Sequence, residues 1–148
     1  MMNGITVRPA EITDAAELAR LNAAFNESVE PPEAYAQRLQ DLRRVETPLL
    51  AEVAGRAVGF AAVRVVPSVF YAEPRAELTE LYVEPEFRRL GVARALVASA
   101  ENLARQLGAH SLVVLTGDDN EPALELYQAL GFELDDISLS KSLRESKN

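Results

Sequence analysis

Residues 81–94 read LYVEPEFRRLGVAR. Leu81, Tyr82 and Val83 close a strand candidate that begins at Leu78, and Pro85 stops it. From Leu90 the pattern turns helical, with Val92, Leu96, Val97, Ala100, Leu103, Ala104 and Leu107 on one apolar face. A helix start leaves backbone N–H groups without partners and carries the positive end of the macrodipole, so it attracts anions. Gly91 lets a backbone approach closely, and Ala93 adds little bulk. Arg88, Arg89 and Arg94 gather positive charge on a chain whose 15 Lys and Arg face 23 Asp and Glu, a net charge of −8. Local charge opposing the global sign is what a polyanionic ligand requires. A capped helix with solvated arginines has the same spacing, so the two readings stand side by side. The stretch is not a P-loop, because no Lys-Ser or Lys-Thr follows Gly91. It is not a dinucleotide fingerprint either, because G-x-G-x-x-G is missing.

Outward from this segment, strands and helices mix. Ile5 to Arg8 is a short strand ended by Pro9. Thr13 and Asp14 are N-cap types, with Glu17 placed for a capping box before Leu18, Leu21 and Phe25. Pro31-Pro32 breaks that helix and starts another through Tyr35, Leu39 and Leu42. Pro48 to Val66 reads as two strands about the turn Ala54-Gly55-Arg56. Between Pro67 and Pro74 lie Phe70 and Tyr71, which suit either an acceptor pocket or plain packing. Gly108 sits where a helix ends. Ser111 to Leu115 is continuously apolar, as in a central strand covered on both faces. Asp118, Asp119 and Asn120 offer cap chemistry for a short helix ending at Gly131. Phe132 and Leu134, then Ile137, Leu139 and Leu143, suggest one or two closing strands. The expectation is one domain over 1–148, core about 5–143, of α/β class with a mixed sheet.

At this point the sequence resembles the GNAT superfamily of acyl-CoA-dependent N-acetyltransferases. The family's pyrophosphate loop, Gln/Arg-x-x-Gly-x-Gly/Ala, reads Arg88-Arg89-Leu90-Gly91-Val92-Ala93 here. The preceding strand end, Glu80-Leu81-Tyr82-Val83, is also typical of it. Downstream, Asn120, Ala123 and Tyr127 through Gly131-Phe132 match a second signature, Asn-x-x-Ala-x-x-x-Tyr closed by Gly-Phe. The resemblance implies a mostly antiparallel mixed sheet flanked by helices, in the order β-α-α-β-β-β-α-β-α-β with an optional last strand. It implies acetyl-CoA as co-substrate. The pyrophosphate would lie on backbone N–H groups from Arg89 through Arg94, and the pantetheine arm along Leu81, Tyr82 and Val83. Asn120, Ala123 and Tyr127 would complete the cofactor set, and homodimerisation is a further implication.

The reaction so implied is attack of an amine on a thioester. The resemblance makes Tyr127 the proton donor to the departing thiolate; by periodicity alone it is a packed aromatic beside Leu126 and Leu130. For the base, Glu80 stands first because it adjoins the cofactor segment, with Glu77 and ordered water as alternatives. In a regular strand Glu77 and Glu80 point to opposite faces, and a bulge changes that. The acceptor would be an amine of a small molecule or a protein, and the net charge inclines toward a cationic one. A catalytically inactive acyl-CoA-binding or interaction module, or an unrelated nucleotide binder, is the competing class. The absence of Cys and the single His110, expected on the surface, argue against disulfides, Cys nucleophiles and clustered metal ligation, so no metal is expected. The acidic balance argues against nucleic acid. MMNGITVRPA does not read as a signal peptide, and no apolar run reaches membrane-spanning length, so no membrane partner and a cytoplasmic location are expected.

Overall fold

The computed structural model describes residues 4–116, 120–135 and 138–144. The chain divides into two compact units, Met1–Val114 and Leu115–Asn148. The first contains β1 (Ile5–Pro9), α1 (Ala15–Asn26), α2 (Pro32–Gln40), β2 (Glu46–Val53), β3 (Arg56–Val66), β4 (Arg75–Val83), α3 (Val92–Gln106) and β5 (Leu112–Val114). The second contains α4 (Glu121–Ala129). The five strands form one sheet in the order β1-β2-β3-β4-β5, antiparallel except for the parallel β4–β5 pair. This is the expected α/β class with a mixed, mostly antiparallel sheet.

The strand covered on both faces is β3: Ala57 through Val63 are all buried. On one face, Phe60 and Leu50 pack with Leu18 and Leu21 of α1, and Tyr35 and Leu39 of α2 close over them. α3 also lies against the sheet and contributes the fully buried Leu96, Val97 and Ala100. Its stripe is as the spacing indicates, except that Leu107 is exposed. The helix ends with Gly108 N–H donating to the Arg105 carbonyl at 3.0 Å and Ala109 N–H to the Ala104 carbonyl at 2.9 Å. Gly59, opposite Val83, admits no side chain, since a Cβ there would stand 2.6 Å from the Tyr82 carbonyl oxygen.

Three expectations are corrected. Residues 112–114 form an edge strand of the sheet among the described residues, not a central one, and Val113 and Leu115 are about half exposed. Apolar continuity there spans too few residues to be paired on both sides. No strand forms after α4 among the described residues: Leu134, Leu139 and Leu143 are almost fully exposed, so they bury no face, and Ile137 lies outside the described set. Finally, Asp14 stands at the N-cap of α1 as its residue type suggests, but its side chain makes no bond to that helix and belongs to a capping box on the short turn Ile12–Asp14. The Asp14 carboxylate accepts the Glu11 N–H at 2.7 Å instead of serving a box with Glu17.

Asp14 is the buried charged residue of this unit's core. Arg8 grips it with a two-pronged contact, 2.7 and 2.9 Å, and reaches Glu52 at 3.0 Å. The Arg8 guanidinium therefore holds the Asp14 carboxyl below its ordinary value, against the opposing effect of burial. A depressed carboxylate pKa contributes stability above the unfolded-state value and loses it as pH falls through the folded-state value. Asp14→Asn should lower the unfolding free energy by about 1–3 kcal/mol near neutral pH. In urea titrations the gap to wild type should shrink as pH falls below the ordinary aspartate range and through the depressed Asp14 value.

Candidate functional site

Between β4 and α3 the chain takes a turn at Pro85–Phe87, then an irregular passage from Arg88 to Gly91. Arg88 is extended, whereas Arg89 (φ 63°) and Gly91 (φ 91°) are left-handed. A non-glycine residue held there costs on the order of 1 kcal/mol, so the loop is imposed by its surroundings and not by local preference. Part of that imposition is Arg88, whose Nε–H donates to the Val83 carbonyl at 2.8 Å while its guanidinium lies over the Tyr82 ring at 5.8 Å. Tyr82 in turn stacks on Phe25 of α1 at 5.2 Å and meets Phe60 of β3 at 6.0 Å. Arg88 and the Tyr82 ring are thus braces for the loop.

Gly91 caps α3 with no side chain, and the first intrahelical bond is Ala95 N–H to the Gly91 carbonyl at 3.0 Å. The N–H groups of Val92, Ala93 and Arg94 therefore have no acceptor within the helix. Arg89 and Arg94 are exposed and take part in none of the ion pairs among the described residues. Leu90 is half exposed, Ala93 is half-buried, and the Val92 side chain is core. The arrangement could attract an anion: it combines N–H donors without intrahelical acceptors, a helix dipole and two guanidinium groups outside any ion pair among the described residues.

β4 supplies the adjoining edge. Among the described residues β5 pairs with it at Ala76, Glu77 and Leu78 and no further. Beyond Leu78 the register with β3 slips: Leu78 faces Val63 but Glu80 faces Ala62, leaving Thr79 as the extra residue of a bulge. Leu81, Tyr82 and Val83 follow with β3 on one side and, among the described residues, no strand partner on the β5 side. The bulge also settles where the two strand carboxylates stand. Glu77 faces Arg64 and Glu80 faces Ala62, two positions apart on β3, so they share a face. Glu77 is spent in an ion pair with Arg64.

Glu80 instead lines a cleft of about 270 Å³ between that face of the sheet and the first two helices. Leu18, Leu39, Phe60 and Pro48 give it apolar walls, and Asn22, Tyr35, Arg38, Arg44 and Glu46 its polar groups. Burial pushes the Glu80 carboxyl above its ordinary value; Asn26 opposes this by hydrogen bonding, and the negative charge of Glu46 adds to it. Asn22 donates to the Tyr35 hydroxyl at 2.7 Å, and the Thr79 hydroxyl donates to Glu46 at 2.6 Å. The bulged residue thus holds the second carboxylate. Arg38, Arg44 and Glu46 escaped the sequence reading because charges at a helix end and a strand entrance look like ordinary surface. Phe70 and Tyr71 are exposed and outside this cleft, with Tyr71 under Arg75 at 5.4 Å; His110 is exposed as expected.

In the second unit, Asn120 caps α4 by accepting the Ala123 N–H at 3.3 Å, while Asp118 and Asp119 lie outside the described residues. Tyr127 is half-buried on that helix and meets Phe132 edge-on at 5.6 Å. The Phe132 N–H returns to the Tyr127 carbonyl at 2.9 Å, which explains why Gly-Phe follows the helix. Among the described residues no group of three or more His, Cys, Asp or Glu could hold a metal, and no helix is long and apolar enough to cross a membrane.

The sequence model described as the acetyltransferase (GNAT) family matches residues 15–132. A mycothiol acetyltransferase of Thermomonospora curvata is 32% identical over 138 residues, covering 88% of this chain and 44% of that protein. The chain spans less than half the length of the curated relatives it matches. Among solved structures, the ribosomal-protein-alanine N-acetyltransferase of Brucella melitensis biovar Abortus 2308 is 25% identical with a TM-score of 0.80, covering 94% of this chain and 99% of that one. An aminoglycoside N-acetyltransferase in complex with CoA has the same fold, at 24% identity, a TM-score of 0.82 and 95% of either chain.

The cleft electrostatics carry a prediction independent of any reaction. In a carboxyl-carbon NMR titration Glu80 should titrate above an ordinary glutamate. Glu46→Gln should bring it down by removing the neighbouring charge, and Asn26→Ala should raise it further. An unshifted Glu80 in the wild type would contradict the geometry.

Proposed function

The chain belongs to the GNAT acetyltransferase family, and on that premise we propose that residues 1–148 act as one N-acetyltransferase domain. In this reading it moves the acetyl group of acetyl-CoA to a primary amine. The observation that carries the reading is the open stretch of β4 past Leu78, which runs directly into the donor-rich start of α3. An extended arm can add to the strand edge while its diphosphate takes the N–H groups that follow Gly91. Both features belong to one unit and one continuous segment.

The residues divide the work by chemistry. Val92, Ala93 and Arg94 N–H groups, with the Arg89 and Arg94 side chains, hold the diphosphate. The backbone of Leu81, Tyr82 and Val83 aligns the arm, and an N–H near Leu81 is the proposed donor to the thioester oxygen. An alkylamine with a pKa of about 10 arrives protonated at neutral pH and must lose a proton to attack. Glu80 is the proposed acceptor of that proton, at the base of a cleft wide enough for a small molecule. The new C–N bond forms as the C–S bond breaks, and the leaving thiolate takes a proton. On the motif Asn120-x-x-Ala123-x-x-x-Tyr127, the proposed donor is the Tyr127 hydroxyl.

Acetyl-CoA should raise the melting temperature of the wild type, and Gly91→Val should abolish that shift. With an amine panel, released thiol should report turnover. Tyr127→Phe should slow it about tenfold or more, with the acetyl-CoA shift retained. Because the base must be ionised, kcat/KM should rise with pH through the elevated Glu80 pKa, and Glu80→Gln should remove that acidic limb. A shift without turnover of any amine would leave an acyl-CoA binder; no shift at all would refute the cofactor assignment.

A further inference from the structure

The cleft that Glu80 lines also has a fixed cation in its lining. Arg44, just before β2, donates its Nε–H to the Leu39 carbonyl at 3.1 Å and an Nη1–H to the Glu46 carbonyl at 2.8 Å. Those contacts fix the plane of the guanidinium but leave its charge unneutralised, since no ion pair among the described residues includes it. The neighbouring Arg38 is different. Glu30 takes it in a two-pronged contact at 2.9 and 2.6 Å, so its charge is matched. Arg44, which lines the cleft, therefore keeps its remaining Nη hydrogens available as a fork suited to a carboxylate. The carboxylates of Glu80 and Glu46 line the same cleft, and Leu18, Leu39 and Phe60 give it apolar surface.

We propose that the acceptor is an apolar amino acid: its amine faces Glu80, its carboxylate is held by Arg44, and its side chain lies on the apolar wall. This deepens the acetyltransferase reading and rests on it. The chain's net charge of −8 favours polycationic acceptors in general, but within the cleft Arg44 shares the lining with the carboxylates of Glu80 and Glu46, a layout that suits an acceptor carrying both charges. Arg44 is a specificity-determining residue in this account, remote from the bond that breaks.

The test compares leucine with leucinamide, and phenylalanine with phenylalaninamide, in thiol release from acetyl-CoA. Wild type should show a KM about tenfold lower for each acid than for its amide, at similar kcat. Arg44→Gln should raise the KM of the acids about tenfold and leave the amides unchanged, and Arg44→Lys should recover part of the loss. Equal KM values for acid and amide in wild type, or an Arg44→Gln effect on both alike, would overturn the inference while leaving the acetyltransferase reading intact. If no amine releases thiol, the acetyltransferase reading fails instead. The melting temperature of the CoA-loaded protein with leucine against leucinamide then decides the inference: stabilisation by leucine alone, lost in Arg44→Gln, supports it, and no difference overturns it.

Discussion

β4 is a strand that two neighbours share only in part. β3 pairs with it from end to end but for the bulged Thr79, and among the described residues β5 pairs with it no further than Leu78. A strand edge with unpaired N–H and C=O groups is normally blunted or covered, because it invites another chain to add to it. Here the edge is short, begins at a bulge and ends in a helix start with spare donors. The bulge at Thr79 also rotates Glu80 onto the face of Glu77 and Tyr82, and so into the cleft. One slipped residue thus turns a carboxylate into the cleft beside the stretch of β4 that β5 does not pair among the described residues.

The remaining contacts keep that arrangement stiff. Tyr82 is wedged between Phe25 and Phe60 and carries Arg88 on its ring, so the aromatic cluster beneath the cleft and the loop leading to α3 share one side chain. Glu84, at the strand's end, answers Arg20 of α1 at 3.3 Å and Arg56 of β3 at 3.5 Å. Among the described residues Arg8, Arg20, Arg38, Arg43, Arg56, Arg64 and Arg105 are paired with carboxylates, whereas Arg44, Arg75, Arg88, Arg89, Arg94 and Arg144 are not. Of the unpaired set, Arg89 and Arg94 flank the start of α3 and Arg44 lines the cleft.

Much of this was legible in the sequence because its signals are local. The proline-stopped strand, the glycine at a left-handed helix cap and the α3 stripe each depend on residues within a few positions of one another. The two motifs around Gly91 and Tyr127 named the family for the same reason. What could not be read depends on pairing. Whether Glu80 joins Glu77 on one face turns on a single slipped residue opposite Ala62 and Val63, which no spacing rule reveals. The apolar run at 111–115 looks like a central strand because composition reports hydrophobicity and not the number of neighbours. The cleft's Arg38, Arg44 and Glu46 come from three different stretches of chain and converge only when α2 and β2 meet the sheet.

The central claim is that the backbone hydrogens after Gly91 grip a diphosphate while the free stretch of β4 receives the arm attached to it. Amide chemical shifts recorded during a CoA titration test both halves at once. The largest changes should fall at Val92, Ala93 and Arg94 and at Leu81 through Val83, and a pantetheine lacking the diphosphate should perturb only the strand. Saturable CoA binding that leaves the amides of Val92 to Arg94 unmoved would contradict the account.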